Sequence, residues 1–131
     1  MATRILAVDD EPDILRLIEI KLAKAGFEVL IASDGEEGLR LALTEKPALM
    51  IVDVMMPGLD GYQVVAQAKE RLGDEAPLAI FLTAKGQESD VVQAFASGAD
   101  DYLMKPFSPQ ELVERITITL MKAGRFAGHE Q

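Results

Sequence analysis

Two hydrophobic rhythms alternate along the chain. Short apolar runs of strand length are followed, five times over, by stretches in which apolar residues recur every three or four positions. The first run is 4–8 (RILAV). Pro12 and Asp13 then open a helix with Ile14, Leu15, Leu17, Ile18, Leu22 and Ala25 at helical spacing, and Gly26 is a fitting stop. Residues 27–32 (FEVLIA) predict a second strand. Asp34 is placed to cap the next helix, with Glu37 three residues on as in a capping box, and Pro47 ends it. Residues 48–52 (ALMIV) predict a third strand, continuous in its apolarity. A Pro-Gly turn at 57–61 leads into a helix with Val64, Val65, Ala68 and Leu72 on one face. Residues 78–82 (LAIFL) predict a fourth strand, and a helix over roughly 88–97 ends before Gly98. A short fifth strand follows at 102–104. Ser108-Pro109-Gln110-Glu111 is a strong helix start, with Ser as cap and Pro in the first turn. Leu112, Val113, Ile116, Leu120 and Met121 are the expected buried stripe of this last helix.

Strand–helix alternation without hairpin signals implies parallel strands joined by right-handed crossovers. The first, third and fourth strands are apolar on both faces and belong at the centre; the second and fifth are mixed and suit edges. The economical architecture is α/β: a doubly wound five-stranded parallel sheet of order 2-1-3-4-5, a flavodoxin-like (βα)5 three-layer sandwich. A Rossmann order would call for a sixth strand and a Gly-rich first turn. One domain over 1–123 is expected, with 124–131 a polar tail that frays or begins a linker.

Composition narrows the partners. The chain has 131 residues, no cysteine and a formal net charge of −9. Disulfides and thiolate metal sites are excluded. Nucleic-acid binders concentrate Lys and Arg on one surface, and no such cluster occurs here, so direct nucleic-acid binding is not expected. The opening apolar stretch is too short for a signal peptide or a membrane span. The expectation is a soluble, cytoplasmic protein without a membrane partner.

Chemistry gathers at the strand ends. In open α/β sheets ligands bind beyond the carboxyl ends of the strands, where strand order reverses. Here those ends carry Asp9 and Asp10, Asp53, Thr83 and Lys105. Clustered carboxylates repel and raise one another's pKa unless a cation intervenes. Lys105 is one cation; a hard divalent metal, Mg²⁺ (or Mn²⁺), is another. Asp10 and Asp53 would ligate it directly, Asp9 through a water, with the backbone carbonyl of Met55 completing the site. An Asp held beside such a metal and a lysine is a competent nucleophile towards phosphorus. Taken singly, each residue has a plainer reading. Asp9, Asp10 and Glu11 suit a helix start, Asp53 suits a turn, Thr83 a strand end and Lys105 a solvated surface. Their convergence at one switch point favours a site.

These residues resemble the receiver domain of two-component response regulators over residues 4 to about 122. The resemblance rests on Val8-Asp9-Asp10-Glu11, the run from Asp53 through Met55, Pro57 and Gly58 to Gly61, Leu82-Thr83-Ala84, Gly98 to Tyr102, and Lys105-Pro106-Phe107. It implies that Asp53 is the phosphorylated aspartate and that Asp9 and Asp10 hold Mg²⁺. It implies that Thr83 bonds the phosphoryl group, that Lys105 is the active-site lysine, and that Tyr102 is the aromatic switch. It further implies a cis Lys105–Pro106 bond. The implied role is a signalling switch rather than a metabolic enzyme: a phosphoacceptor taking phosphate from a histidine kinase or histidine phosphotransfer protein and losing it slowly to water. The signal would appear on the face formed by the 88–97 helix, the fifth strand and the last helix, for an effector domain, a downstream protein or a homodimer partner. That face departs from the family's charged dimer pattern. The 88–97 helix has no Lys or Arg, with Val91 and Val92 at its early positions, although Asp100, Asp101, Arg115 and Lys122 could pair across a dimer. Two other functions are weighed. A dehalogenase-like aspartyl-phosphate hydrolase needs an Asp where Met55 stands, and a flavodoxin-like FMN module needs a Ser/Thr/Gly loop where Asp9-Asp10-Glu11-Pro12 stands. No effector sequence follows the last helix, so a free-standing regulator and a receiver from a longer protein both stay open.

Overall fold

The computed structural model describes residues 2–84, 96 and 98–125. Strands β1 (Arg4–Val8), β2 (Glu28–Ala32), β3 (Leu49–Asp53), β4 (Leu78–Ala84) and β5 (Asp101–Lys105) form one parallel sheet, ordered β2-β1-β3-β4-β5. The helices among the described residues are α1 (Pro12–Lys24), α2 (Gly35–Glu45), α3 (Gly61–Leu72) and α4 (Pro109–Lys122), with a 3-10 turn at Gly73–Glu75. Of the helix expected over 88–97, only Ala96 lies among the described residues, and it is helical.

β3 shows why the sheet is covered twice. All of its residues are buried. Side chains alternate between faces, so a strand with no polar face needs helices on both sides. Leu49 and Ile51 join the cluster under α1 and α4, with Leu15, Ile18, Leu112 and Ile116. Met50 and Val52 join the cluster under α2 and α3, with Leu39, Ala42, Val64 and Val65. The edge strands are mixed, as their sequences predict: β2 exposes Glu28 and Ile31, and Leu103 is the only fully buried residue of β5.

The helix ends follow local chemistry. Asp34 Oδ1 accepts the Glu37 N–H at 2.8 Å. The return half of the expected box is not made, because the Glu37 carboxylate lies 3.3 Å from Arg40 instead. A complete capping box stands at α3, where Asp60 and Gln63 exchange side-chain-to-backbone bonds of 2.9 Å each. Ser108 Oγ accepts the Glu111 N–H at 3.0 Å to start α4. The buried stripe of α4 is Leu112, Ile116, Thr119 and Leu120. Met121, expected in that stripe, is 62% exposed. It stands nine positions after Leu112, about two and a half turns, and so faces the opposite side of the helix. Beyond α4, the Arg125 guanidinium donates to the carbonyl of Ala76 at 2.8 Å and reaches those of Ala48 and Asp74 at 3.4 Å. Residues 126–131 lie outside the described residues.

Two glycines set the loop between β3 and α3. A Cβ at Gly35 would sit inside contact distance of the Leu59 carbonyl oxygen and 2.9 Å from Leu59 Cβ. A Cβ at Gly61 would lie 2.5 Å from the Asp53 carbonyl oxygen and 3.0 Å from Val54 Cα. The obstructing atoms are largely backbone and cannot rotate away. Gly35→Ala is therefore expected to cost about 1–3 kcal/mol, the usual cost of overpacking. Urea unfolding measures it, and a loss below about 0.5 kcal/mol would show that the loop yields freely.

Candidate functional site

Parallel strands of matched register bring their carboxyl ends to one rim. Asp53 closes β3 opposite Leu82, and Ala84 stands opposite Lys105 where β4 and β5 end. Asp9 follows β1, its N–H bonded to the Ala32 carbonyl at 3.2 Å. Asp9 and Asp53 are 1% and 5% exposed, while Asp10 faces solvent. A carboxylate oxygen from each of Asp9, Asp10 and Asp53 lies within 4.8 Å of the others.

Backbone donors fix the two buried acids. The Glu11 N–H reaches Asp9 Oδ1 at 2.9 Å, and the Met55 N–H reaches Asp53 Oδ1 at 3.2 Å. Lys105 enters from β5 with a side chain only 19% exposed. Its Nζ lies 2.8 Å from Glu11 Oε1, 3.1 Å from Asp9 Oδ2 and 3.4 Å from Asp53 Oδ2. The Lys105–Pro106 bond is cis, as the resemblance implies.

The charges are unevenly satisfied. Burial, then repulsion from Asp9, pushes the Asp53 carboxyl from 3.8 up to about 6, and Lys105 and the Met55 N–H only partly offset this. Burial opposes the Lys105 ammonium, yet Glu11, Asp53 and Asp9 outweigh it and hold its pKa above the ordinary lysine value. Three clustered carboxylates, of which Asp53 resists ionisation, with one lysine against them, have the oxygen donors suited to a hard divalent cation.

Thr83 and Tyr102 are placed differently. Phe81 and Thr83 share one face of β4, and in register they stand opposite Tyr102 and Met104 of β5. That face is the one covered by α2 and α3, where half-buried Tyr102 packs. Thr83 is 1% exposed, and its buried Oγ1 has no hydrogen-bond partner among the described residues. Such an orphan hydroxyl normally costs stability.

Of the residues picked out in the sequence, Asp9, Asp10, Asp53 and Lys105 are brought together directly. Met55 contributes a backbone N–H, and its side chain is 61% exposed. Glu11 as the nearest partner of Lys105 was not legible, because an acid before Pro12 reads equally as a helix-start charge. Asp101 and Arg115, offered by the sequence as partners across a dimer, pair within the chain, with Nη1 2.9 Å from both carboxylate oxygens. Asp100 is also committed internally, exchanging bonds of 2.9 and 2.8 Å with the backbone of Ala79.

Comparison with known proteins agrees with this geometry. Residues 5–117 match the response regulator receiver domain. The chain is 45% identical over 123 residues to the alkaline phosphatase synthesis transcriptional regulatory protein PhoP of Bacillus subtilis (strain 168), covering 94% of this chain and 50% of that one. It is 43% identical to the transcriptional regulatory protein SrrA of Staphylococcus aureus (strain NCTC 8325 / PS 47), covering 93% of this chain and 49% of that protein. The chain thus spans about half the length of these curated relatives. Among solved structures, the chemotaxis response regulator CheY4 of Vibrio cholerae superimposes with a TM-score of 0.85 at 30% identity, covering 92% of this chain and 100% of that one. A response regulator receiver domain protein from Clostridium thermocellum gives 0.85 at 32% identity, covering 93% and 97%. Five parallel strands in 2-1-3-4-5 order, closing on an acidic rim with a lysine, therefore place the chain in the response regulator receiver domain family of two-component signalling.

Proposed function

We propose that the chain is a phosphoacceptor switch in which Asp53 takes phosphate from a phosphohistidine on a kinase or phosphotransfer protein, in the cytoplasm. The observation that carries this reading is the placement of Asp53, nearly buried at the end of β3, beside the Asp9 carboxylate and within 3.4 Å of the Lys105 ammonium that contacts both. An Asp53 oxygen attacks phosphorus, an O–P bond forms as the N–P bond breaks, and the electron pair stays with the donor imidazole. The Met55 N–H holds the Asp53 carboxylate in place for the attack. Lys105 compensates the negative charge gathering on the transferred group.

Asp10 and Asp53 would hold Mg²⁺ or Mn²⁺ directly, with Asp9 acting through a water and the Met55 backbone carbonyl completing the set. When bound, the cation supplies charge neutralisation between the carboxylates and the phosphoryl oxygens.

The phosphoryl group brings about −1.5 to −2 charge and strong acceptors to this rim. The Thr83 hydroxyl, without a partner among the described residues, is a donor for such an acceptor. As Thr83 turns inward, Tyr102, on the same face, rotates into the space it leaves. The change is read on β5 and α4, together with the 88–97 segment, by an effector or by a second copy of the chain. The receiver unit runs over 1–123, followed by a linker or tail. Slow attack of water on the acyl phosphate resets it.

Three outcomes test the reading. Acetyl phosphate with Mg²⁺ should give one labile phosphoryl group per chain by intact mass, absent in Asp53→Asn; steady turnover of a free phosphoester would instead indicate a hydrolase. Lys105→Ala should keep metal affinity while phosphorylation slows by about tenfold or more, and wild-type rates in that variant would remove Lys105 from its role. The third outcome is thermodynamic. Because the folded pKa of Asp53 lies above its ordinary value, at about 6 against 3.8, ionising it costs stability above about pH 6. In EDTA, Asp53→Asn should therefore gain up to about 3 kcal/mol at neutral pH. The gain should shrink as pH falls through 6 towards 4, and a gain independent of pH in urea unfolding would contradict it.

A further inference from the structure

We propose that Glu11 is a positioning residue that competes with Asp53 for Lys105 and sets how readily the lysine is released to an incoming phosphoryl group. The inference rests on the phosphoacceptor reading and deepens it. Among the described residues, the hydrogen bond from Lys105 Nζ goes to Glu11, at 2.8 Å, while Asp53 stands 3.4 Å away. Asp9 lies between them in distance, at 3.1 Å. The ammonium thus sits nearer the outer acid than the nucleophile it serves.

Glu11 is built for this position. Its N–H is committed to Asp9 Oδ1, which anchors the residue at the head of α1. Its side chain is 59% exposed and reaches back over the rim to the lysine. An exposed pair is screened by water and salt, so it directs the ammonium without trapping it. A phosphoryl group carrying about −1.5 to −2 charge beside Asp53 outweighs one solvated carboxylate, and Lys105 then moves inward. Asp9 is common to both arrangements, and Asp10, on the exposed side of the rim, makes no ion pair with Lys105. Glu11 is the group whose hold must be broken.

Glu11→Gln removes the charge and keeps both the size and the backbone N–H to Asp9. Crystal structures of the metal-free wild type and variant, grown in EDTA, should show Lys105 Nζ closing on Asp53 from 3.4 Å to about 2.8–3.0 Å in the variant. Phosphorylation by acetyl phosphate at saturating Mg²⁺ should be about two- to fivefold faster, the scale of an exposed ion pair. The gain should vanish in a Lys105→Met background, which a general loosening of the rim would not produce. A lysine that stays in place in the variant structure overturns the competition, as does an unchanged or slower rate, or an equal gain in both backgrounds. Failure of the wild type to accept phosphate at all would sink the phosphoacceptor reading instead, and the crystal structures would still decide where Glu11 holds the lysine.

Discussion

Two carboxylates held nearly out of water at the ends of adjacent strands govern the rest of this molecule. The Asp9 carboxylate repels that of Asp53, and burial makes the ionised form of Asp53 costly. Lys105 and two backbone N–H donors offset this locally, and only in part. The sheet keeps the two acids together, because β1 and β3 are paired in register and packed on both faces. Each fully buried Leu or Ile side chain contributes about 1.5–3 kcal/mol. A core of many such residues outweighs a local penalty of a few kcal/mol at its rim. The penalty has a direction: it favours cations and donors at the rim, and the Lys105 ammonium, 3.1 Å from Asp9 and 3.4 Å from Asp53, answers it in part.

The parts of the fold that depend on repeating patterns were readable in the sequence. Apolar runs located the strands, and their two-sided or mixed character sorted centre from edge. Sheet order and the strand-end convergence of Asp9, Asp10, Asp53 and Lys105 followed from that. The misses were all matters of side-chain direction. Met121 looked like core because it is apolar and follows Leu120, yet helix geometry turns it outward. Glu37 had the right spacing for a reciprocal cap but found Arg40 on its own helix. Glu11, Asp101 and Arg115 show the same limit for charges, since a sequence gives their number and not their pairing.

Recognition of the family through its motifs reached further than spacing could. A threonine at a strand end and a half-buried tyrosine at a sheet edge carry little information by themselves. The structure places both on one face of adjacent strands, with the Thr83 hydroxyl unpartnered among the described residues.

The two glycine contacts around the β3–α3 loop have a consequence for variation. The loop is seated by backbone against backbone at Gly35 and Gly61, where missing atoms set the fit. The side chains it presents outward at Met55 and Pro57 bear none of that load and are exposed. New side chains can therefore be tried at these outward positions without unseating the backbone that follows Asp53, while the two glycines stay fixed.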